Sequence, residues 1–359
     1  MVEPAPHVLR RPTASAYAAL DLGTNNCRLL VGAPASDGFR VLDSFSRIVR
    51  LGEGLHDTGA LSPPAMDRAM SALHACANRL SRRPVRRLRA IATEACRRAA
   101  NGPEFIDRVR SETGLDIDVI TAREEAELAL ESCAPLLAAV SRPHDRRALL
   151  FDIGGGSTEL AWVRLGAGTL QLIGTTSLPV GVVTLAERFG AACHTGAGYA
   201  AMVADVAARL AAFEAVHCIA HEMRAGGVRL LGTSGTVTTL AGVALGLPRY
   251  RRPLIDGVVL GRVAAMAALA DLRALGPSGL AEHPCVGAER AAFVLPGCAV
   301  FEAIFRCWPA ADVTVADRGL REGMLLRMMR DGGARRPQRR VGPGPDAAPA
   351  VPPVAVLPA

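Results

Sequence analysis

Apolar runs that end in an aspartate and a glycine turn occur twice along this chain. Residues 17–20 lead into Asp21, residues 148–151 lead into Asp152, and apolar residues resume after each turn. This pattern predicts a buried strand, a tight turn and a returning strand. Glycines let a backbone approach a ligand closely, and successive N–H groups in such turns can bind phosphate oxygens. An ordinary glycine turn beside an exposed acid explains a single copy equally well.

The two copies together favour a shared site. A bound phosphate would be repelled by each aspartate, so the pattern predicts an intervening cation with the oxygen ligands that Mg²⁺ prefers. The copies lie 131 positions apart, which is too long for a solenoid and predicts two related domains facing one cleft. A third apolar run, residues 228–231, leads into another small-residue turn at 232–236. The helix predicted after it would direct its N-terminal N–H groups towards an anion.

The rest of the chain alternates strands with helices between two polar, Pro-rich ends. Further strands are predicted at residues 40–50, 86–92, 116–121, 161–165, 170–173 and 313–316. Helices are predicted at residues 62–80, 178–189, 198–216, 237–245, 291–307 and 319–330, and two more begin after residue 92 and at residue 122. The predicted organisation is a disordered segment at 1–15, domains at 16–128 and 129–331, and a disordered basic tail at 332–359.

Composition limits the chemistry. All 41 basic residues are arginine, so a Walker A loop, a Schiff-base enzyme and a protein kinase are excluded, because each needs a lysine. The formal charge of +7 is compatible with an anionic ligand. The nine cysteines are scattered, which argues against a zinc site or a disulfide framework. No stretch has the pattern of a secretion signal or a membrane span, so we expect a cytoplasmic protein.

Two helix starts carry candidate chemistry. Arg97 and Arg98 follow a predicted strand end, where open α/β sheets place ligands, although a solvated arginine is the more common interpretation. Glu124 and Glu125 open the next helix. The helix dipole alone favours acids there, but an acid near the domain junction could also activate a water aimed at phosphate.

These motifs, taken in order, resemble the exopolyphosphatase and guanosine pentaphosphate phosphohydrolase (Ppx/GppA) family over residues 16–331. The motifs that carry the resemblance are Asp-Leu-Gly-Thr-Asn at 21–25, Ala92-Thr93 with Arg97, Glu124-Glu125-Ala126, Asp-Ile-Gly-Gly-Gly-Ser-Thr-Glu at 152–159, Gly-Thr-Ser-Gly-Thr at 232–236 and Leu-Arg-Glu-Gly at 320–323. The resemblance implies an α/β fold of two ribonuclease-H-like domains, as in actin, that close over a cleft. It also implies hydrolysis of terminal phosphoanhydride bonds with Mg²⁺, or Mn²⁺ in its place, by a homodimer.

The resemblance also implies roles for individual residues. Glu125 is expected to be the catalytic base and Arg97 the clamp on a substrate phosphate. Asp152 and Glu159 are expected to lie on the metal side, with Asp21 as their counterpart in the first domain. The residues expected to bind substrate phosphates are Gly23, Thr24, Asn25, Asn26, Gly154, Gly155, Gly156, Ser157, Thr158, Gly232, Thr233, Ser234, Gly235 and Thr236.

The sequence departs from the family pattern at several positions. Asn26 stands where serine is usual, Glu127 replaces an arginine, and Asp317-Arg318 replaces small residues. The C-terminal metal-dependent phosphohydrolase-like (HD-like) domain of longer members is expected to be absent.

The expected activity is that of an exopolyphosphatase. Guanosine pentaphosphate hydrolysis, turnover-free binding of polyphosphate or guanosine tetraphosphate, and a sugar-kinase-like phosphotransfer remain alternatives. We expect neither sequence-specific nucleic-acid binding nor a membrane partner.

Overall fold

The two predicted strand–turn–strand repeats each form the centre of a separate β-sheet. The computed structural model describes residues 16–36, 38–139, 145–166 and 169–334, so the predicted disordered segment 1–15 lies outside it, as does most of the predicted disordered tail 332–359. Residues 332–334 of that tail are described and belong to the last helix, which corrects the prediction there. The first sheet has five strands in the order β3-β2-β1-β4-β5. Its strands are β1 (Tyr17–Leu22), β2 (Asn26–Ala35), β3 (Gly38–Ile48), β4 (Arg87–Ala92) and β5 (Asp118–Val119).

The second sheet has six strands in the order β10-β11-β9-β6-β7-β8. Its strands are β6 (Arg147–Ile153), β7 (Thr158–Leu165), β8 (Leu170–Leu178), β9 (Val228–Thr233), β10 (Val259–Gly261) and β11 (Asp312–Ala316). Strand β6 runs antiparallel to β7 and parallel to β9, as β1 runs antiparallel to β2 and parallel to β4. The shared pairing supports the repeat inferred from sequence.

Helices connect and cover the strands. In the first half they are α1 (Leu55–Thr58), α2 (Pro63–Arg82), α3 (Glu94–Arg98), α4 (Gly102–Thr113) and α5 (Ala122–Ala139). In the second half they are α6 (Val182–Phe189), α7 (Gly196–His217), α8 (Ile219–Ala225), α9 (Gly235–Ala244), α10 (Arg252–Ile255), α11 (Arg262–Ala274), α12 (Gly276–Glu282), α13 (Ala291–Cys307) and α14 (Leu320–Ala334), with a 3₁₀ turn at Gly190–His194.

Local signals account for helix α2. Its N-cap Ser62 accepts a hydrogen bond from the N–H of Ala65, and Pro63 occupies the first helical position, where its missing N–H costs nothing. Met70, Leu73 and neighbouring alanines are buried on the face predicted from their spacing.

The structure corrects the predicted elements in two regions. The helix predicted from Leu178 begins only at Val182, because Leu178 completes β8 and Pro179 follows it. Residues 246–290 carried no prediction and contain α10, β10, α11 and α12. Three of them, α10, β10 and α12, have seven residues or fewer and leave few periods of a hydrophobic pattern, whereas α11 has 13 residues and was missed.

Helices α5 and α14 hold the two sheets together. Their buried side chains share one apolar cluster with Ala19 and Leu30 of the first sheet and with Leu150 and Val163 of the second. Helix α5 contacts β7 and β8, while α14 contacts β1 and β2, so each helix covers the sheet of the opposite half. The predicted domain boundary at 128/129 falls inside α5.

Within the described residues, no helix is long and apolar enough to cross a membrane. All nine cysteines are in the described ranges, and none forms a disulfide.

We predict that Gly323→Ala destabilises the protein by about 1–3 kcal/mol, the usual cost of overpacking. A Cβ atom at Gly323 would lie 2.1 Å from the backbone oxygen of Leu128, at the crossing of α14 and α5. Urea unfolding measures the effect. Gly196→Ala is the matched control, because no atom lies within 4 Å of its Cβ position. Equal stability of the two variants would contradict a close helix crossing.

Candidate active site

A cleft of about 680 Å³ lies between the two sheets, where β1, β6, β9 and β11 end. Most of the predicted site residues line it: Asp21, Gly23, Thr24, Asn25, Asn26, Glu125, Asp152, Gly154, Gly155, Gly156, Ser157, Thr233, Ser234, Gly235 and Thr236. Four predicted residues do not line it: Arg97, Thr158, Glu159 and Gly232. The three glycine turns are therefore brought together, as the sequence predicted.

The turns of the two repeats have the same hydrogen bonding. The Gly23 N–H donates to the Asn26 carbonyl at 2.9 Å, and the Gly154 N–H donates to the Ser157 carbonyl at 2.9 Å. These two donors close their turns, so they are not available to a ligand. The following N–H groups, those of Thr24, Asn25, Gly155, Gly156 and Ser157, donate to no described residue.

The carbonyl groups of both turns are held from outside the cleft. In the first turn, the Thr24 carbonyl accepts from the Gly52 N–H at 2.9 Å, and the Asn25 carbonyl accepts from the N–H groups of Val49 and Arg50 at 2.8 and 3.1 Å. This restraint leaves the N–H side of the turn for an anion.

The second turn is held in the same way by the start of α6. The Gly154 carbonyl accepts from the Val182 N–H at 3.0 Å, and the Gly155 carbonyl accepts from the Val183 N–H at 2.8 Å. In both turns, therefore, backbone N–H groups are left without a protein acceptor, while the backbone carbonyls are held by hydrogen bonds.

The two turns pack directly against each other. A Cβ at Gly156 would lie 2.7 Å from Thr24 Oγ1, and one at Gly155 would lie 3.2 Å from Thr24 Cβ. Larger residues would therefore push the two halves of the site apart. The glycines are required for this close approach as well as for access to a ligand.

The third turn adds the N-terminus of α9. Ser234 occupies the N-cap position of this helix without a capping hydrogen bond from its side chain, and its φ of 110° is uncommon for a residue other than glycine. Its Oγ is buried without a hydrogen-bond partner, as is Oδ1 of Asn25 in the first turn. Buried polar atoms of this kind are usually satisfied by a ligand or water.

Glu125 is buried at the start of α5, and Arg97 holds its carboxylate. Both terminal nitrogens of Arg97 lie 3.3 Å from Glu125 Oε2, and one also donates to Glu94 at 2.7 Å. Arg97 donates in addition to the Ile120 carbonyl at 2.7 Å. Arg97 therefore binds protein groups behind Glu125. The family resemblance implied instead that Arg97 binds a substrate phosphate.

Burial gives the carboxyl groups of the site raised pKa values. Burial, followed by repulsion from Glu159, raises the pKa of Glu125 well above its ordinary value despite the nearby Arg97. Burial raises the pKa of Asp152 from 3.8 to about 6, while Arg28 opposes the shift. The pKa values of Asp21 and Glu159 are also raised, mainly by burial.

Asp21 and Glu159 differ in their hydrogen bonds. Asp21 Oδ1 is buried without a partner. Glu159 lies behind the second turn and accepts from the hydroxyls of Ser157 at 2.5 Å and Ser177 at 2.9 Å. Thr158, also outside the cleft, donates to the Val180 carbonyl at 2.7 Å. These contacts support the turn from behind.

The cleft is also lined by arginines that the sequence did not indicate as site residues. Arg28 and Arg290 form no ion pair with any described carboxylate, and burial lowers the pKa of Arg290. Arg318, noted in the sequence only as a departure, also lines the cleft and binds Asp256 at 2.9 Å.

The hairpin register contains a signal for Arg28, since it lies opposite Asp21 across β1 and β2. Arg290 lies just before α13 in a region without a pattern, so no comparable signal was available.

Comparisons with known proteins agree with this geometry. The model of the Ppx/GppA phosphatase family matches residues 31–331. A family member from Aquifex aeolicus is 26% identical, with 89% of this chain and 98% of that chain covered and a TM-score of 0.70. An exopolyphosphatase from Cytophaga hutchinsonii is 26% identical, with 89% and 98% covered and a TM-score of 0.77.

An exopolyphosphatase-like protein is 28% identical, with 88% and 97% covered and a TM-score of 0.75. The predicted α/β fold of two actin-like domains around a cleft is confirmed. The chain belongs to the Ppx/GppA phosphatase family.

Proposed function

We propose that this protein is an exopolyphosphatase, which hydrolyses the terminal phosphoanhydride bond of inorganic polyphosphate and releases orthophosphate. One observation carries the proposal: unpaired N–H donors of two opposed turns share a cleft with the buried carboxylate of Glu125. The donors suit phosphate oxygens, and the carboxylate suits a water molecule. Hydrolysis of this bond needs positioning and charge neutralisation more than covalent chemistry.

The substrate would be held by backbone and arginine. The N–H groups of Thr24, Asn25, Gly155 and Gly156 would bind the terminal phosphate oxygens. Arg28 and Arg290, which form no ion pair with any described carboxylate, would supply positive charge, and Arg290 is already positioned by its hydrogen bonds to the carbonyls of Cys285 and Val286. A phosphate beside Arg290 would also supply the counter-charge that its two carbonyl partners do not give, and would offset the desolvation that lowers its pKa.

Glu125 would act as the general base. Burial raises its pKa, which makes the ionised carboxylate a stronger base towards the proton of a bound water. Water would attack the terminal phosphorus, Glu125 would accept the water proton, and the bridging oxygen would leave with the shortened chain. Arg97 would fix the direction of the Glu125 carboxylate from behind.

The acids of the cleft suit a divalent cation held jointly with substrate. Among the described residues, no group of three or more His, Cys, Asp or Glu side chains is arranged to hold a metal ion alone. Mg²⁺ commonly binds through one or two carboxylates together with substrate phosphates and water. Asp21, whose Oδ1 lacks a partner, and Asp152 would be these carboxylates, with Glu159 behind them. When bound, the ion would neutralise charge on the phosphate oxygens.

A specific observation keeps guanosine pentaphosphate as a second candidate substrate. One wall of the cleft is apolar and contains Leu272, Val286, Phe293 and Val294. A nucleobase could pack there, whereas a linear polyphosphate would gain nothing from it. Comparing phosphate release from polyphosphate of several lengths and from guanosine pentaphosphate, with and without Mg²⁺, separates the candidates. Release from neither substrate would overturn the proposal, and tight binding without release would favour a binding protein.

We predict that Glu125→Gln lowers kcat for polyphosphate by about 10²- to 10⁴-fold, the usual contribution of a general base. Glu127→Gln is the matched control in the same helix, since Glu127 pairs with Arg123 on an exposed surface. We expect it to retain kcat within about threefold, as is typical for exposed pairs. Steady-state phosphate release measures both values. Equal rates for Glu125→Gln and the unmutated protein would exclude Glu125 as the base.

We also predict a pH-dependent gain in stability for Asp152→Asn when EDTA removes divalent ions. The folded state raises the pKa of Asp152 from 3.8 to about 6. The contribution of Asp152 to the free energy of unfolding is therefore complete below pH 3.8 and is lost as the pH rises through 6. Relative to the unmutated protein, the variant should therefore gain up to about 3 kcal/mol between pH 4 and pH 8.

Asp205→Asn is the control of opposite sign for this experiment. Arg188 and Arg209 lower the pKa of Asp205, so the stability that Asp205 contributes appears as the pH rises. The Asp205→Asn variant should therefore lose stability relative to the unmutated protein as the pH rises. Added Mg²⁺ at pH 8 should stabilise the unmutated protein more than Asp152→Asn. The same pH profile for Asp152→Asn and the unmutated protein would contradict a buried, unneutralised Asp152.

A further inference from the structure

A second concave site lies on the outer surface of the first half, beyond the cleft. Its volume is about 460 Å³, and its lining residues are Asp43, Ala75, Asn78, Arg79, Arg82 and Arg83. We refer to these residues as the arginine groove. Arg82 and Arg83 form no ion pair with any described residue. The groove lies between β3 and the C-terminal end of α2.

An ordered pair of arginines joins the groove to the cleft. Arg47 lines the cleft, and its guanidinium lies 5.3 Å from the centre of the Phe45 ring. Arg79, in the groove, lies 5.3 Å from the same ring. Arg47 also donates to Ser71 at 3.1 Å, so both side chains are held in position by protein contacts. One arginine of the cleft and one arginine of the groove therefore lie against the same ring.

Helix geometry alone does not account for this arrangement. Cations are favoured at a helix C-terminus, which explains Arg79 and Arg82 in the last turn of α2. It also accounts for Arg83, the C-cap residue of α2, but it does not explain why Arg47 of β3 lies against the same ring as Arg79. Asp43, which binds Arg79 at 3.0 Å, is the one lining acid and offsets part of the charge.

We propose that the arginine groove binds the part of a long polyphosphate chain that extends out of the cleft past Arg47. This inference rests on the proposed function and adds a preference for long chains. A long chain cannot fit within about 680 Å³, so most of its charge must lie outside the cleft. Arginines spaced along its path would bind successive phosphates and release counterions.

The test compares tripolyphosphate with long-chain polyphosphate in the variant Arg82→Gln/Arg83→Gln. We expect KM for the long chain to rise about five- to tenfold at low salt and the difference to shrink at high salt. Tripolyphosphate kinetics should stay within twofold, because a short substrate does not reach the groove. Arg306→Gln is the control, since Arg306 is also exposed but lies on α13 in the second half.

Asp43→Asn provides a variant with the opposite sign. It removes the one lining acid of the groove, so KM for long-chain polyphosphate should fall. Local unfolding of the groove would not produce this gain. An unchanged long-chain KM in Arg82→Gln/Arg83→Gln, or an equal change for both substrates, would overturn the proposal.

Direct binding separates failure of this inference from failure of the proposed activity. Calorimetry with long-chain polyphosphate in EDTA measures the dissociation constant without turnover, and the double variant should bind about five- to tenfold more weakly. A protein that binds the long chain through the groove without hydrolysing it would overturn the activity alone. Weakened binding of a single-stranded RNA with unchanged polyphosphate binding would assign the groove to nucleic acid and overturn the inference.

Discussion

The contact between the two glycine turns is the constraint on which the site depends. Gly155 and Gly156 approach Thr24 so closely that a methyl group at Gly156 would overlap Thr24 and one at Gly155 would be tightly packed against it, and the donors of both turns face one small volume. The backbone keeps this geometry because the carbonyls are bound from outside, by residues 49–52 and by the start of α6. In the proposed function, phosphate binding would thus depend mainly on backbone N–H groups.

The halves can meet in this way because α5 and α14 cross between the sheets. Each helix covers the sheet of the opposite half, and Gly323 lets α14 pass close to the backbone of α5. The same helix α5 begins with the segment that carries Glu125, so the element joining the halves also positions the proposed base. Opening of the cleft would therefore move Glu125 relative to at least one turn.

The charges of the cleft are unbalanced without a ligand. Glu125 is paired with Arg97, but Asp21 and Asp152 form no ion pair with any described residue, and neither do the cleft arginines Arg28 and Arg290. Burying such groups is costly, and proteins retain them mainly where function needs them. A polyphosphate terminus would neutralise the arginines, and a divalent ion would neutralise the carboxylates. Either ligand alone would leave one of these two groups of side chains without a counter-charge.

The sequence predicted the parts of this structure that depend on local pattern. The repeat of Asp21 and Asp152, the three turns and the start of α5 at Glu125 all follow from periodicity and small residues. The contact of Arg97 with Glu125 could not be assigned in this way, because it joins α3 to the start of α5, 28 positions along the chain, whereas its contact with Glu94 lies within α3. Arg290 is brought to the cleft by tertiary structure alone, in a stretch with no regular pattern.

A crystal structure of Glu125→Gln with tripolyphosphate and Mg²⁺ tests the central claim most directly. The account predicts a terminal phosphate bound by the N–H groups of the turns at 24–25 and 155–156, with a water in hydrogen-bond range of residue 125. Phosphate bound elsewhere, with those N–H groups free, would contradict it.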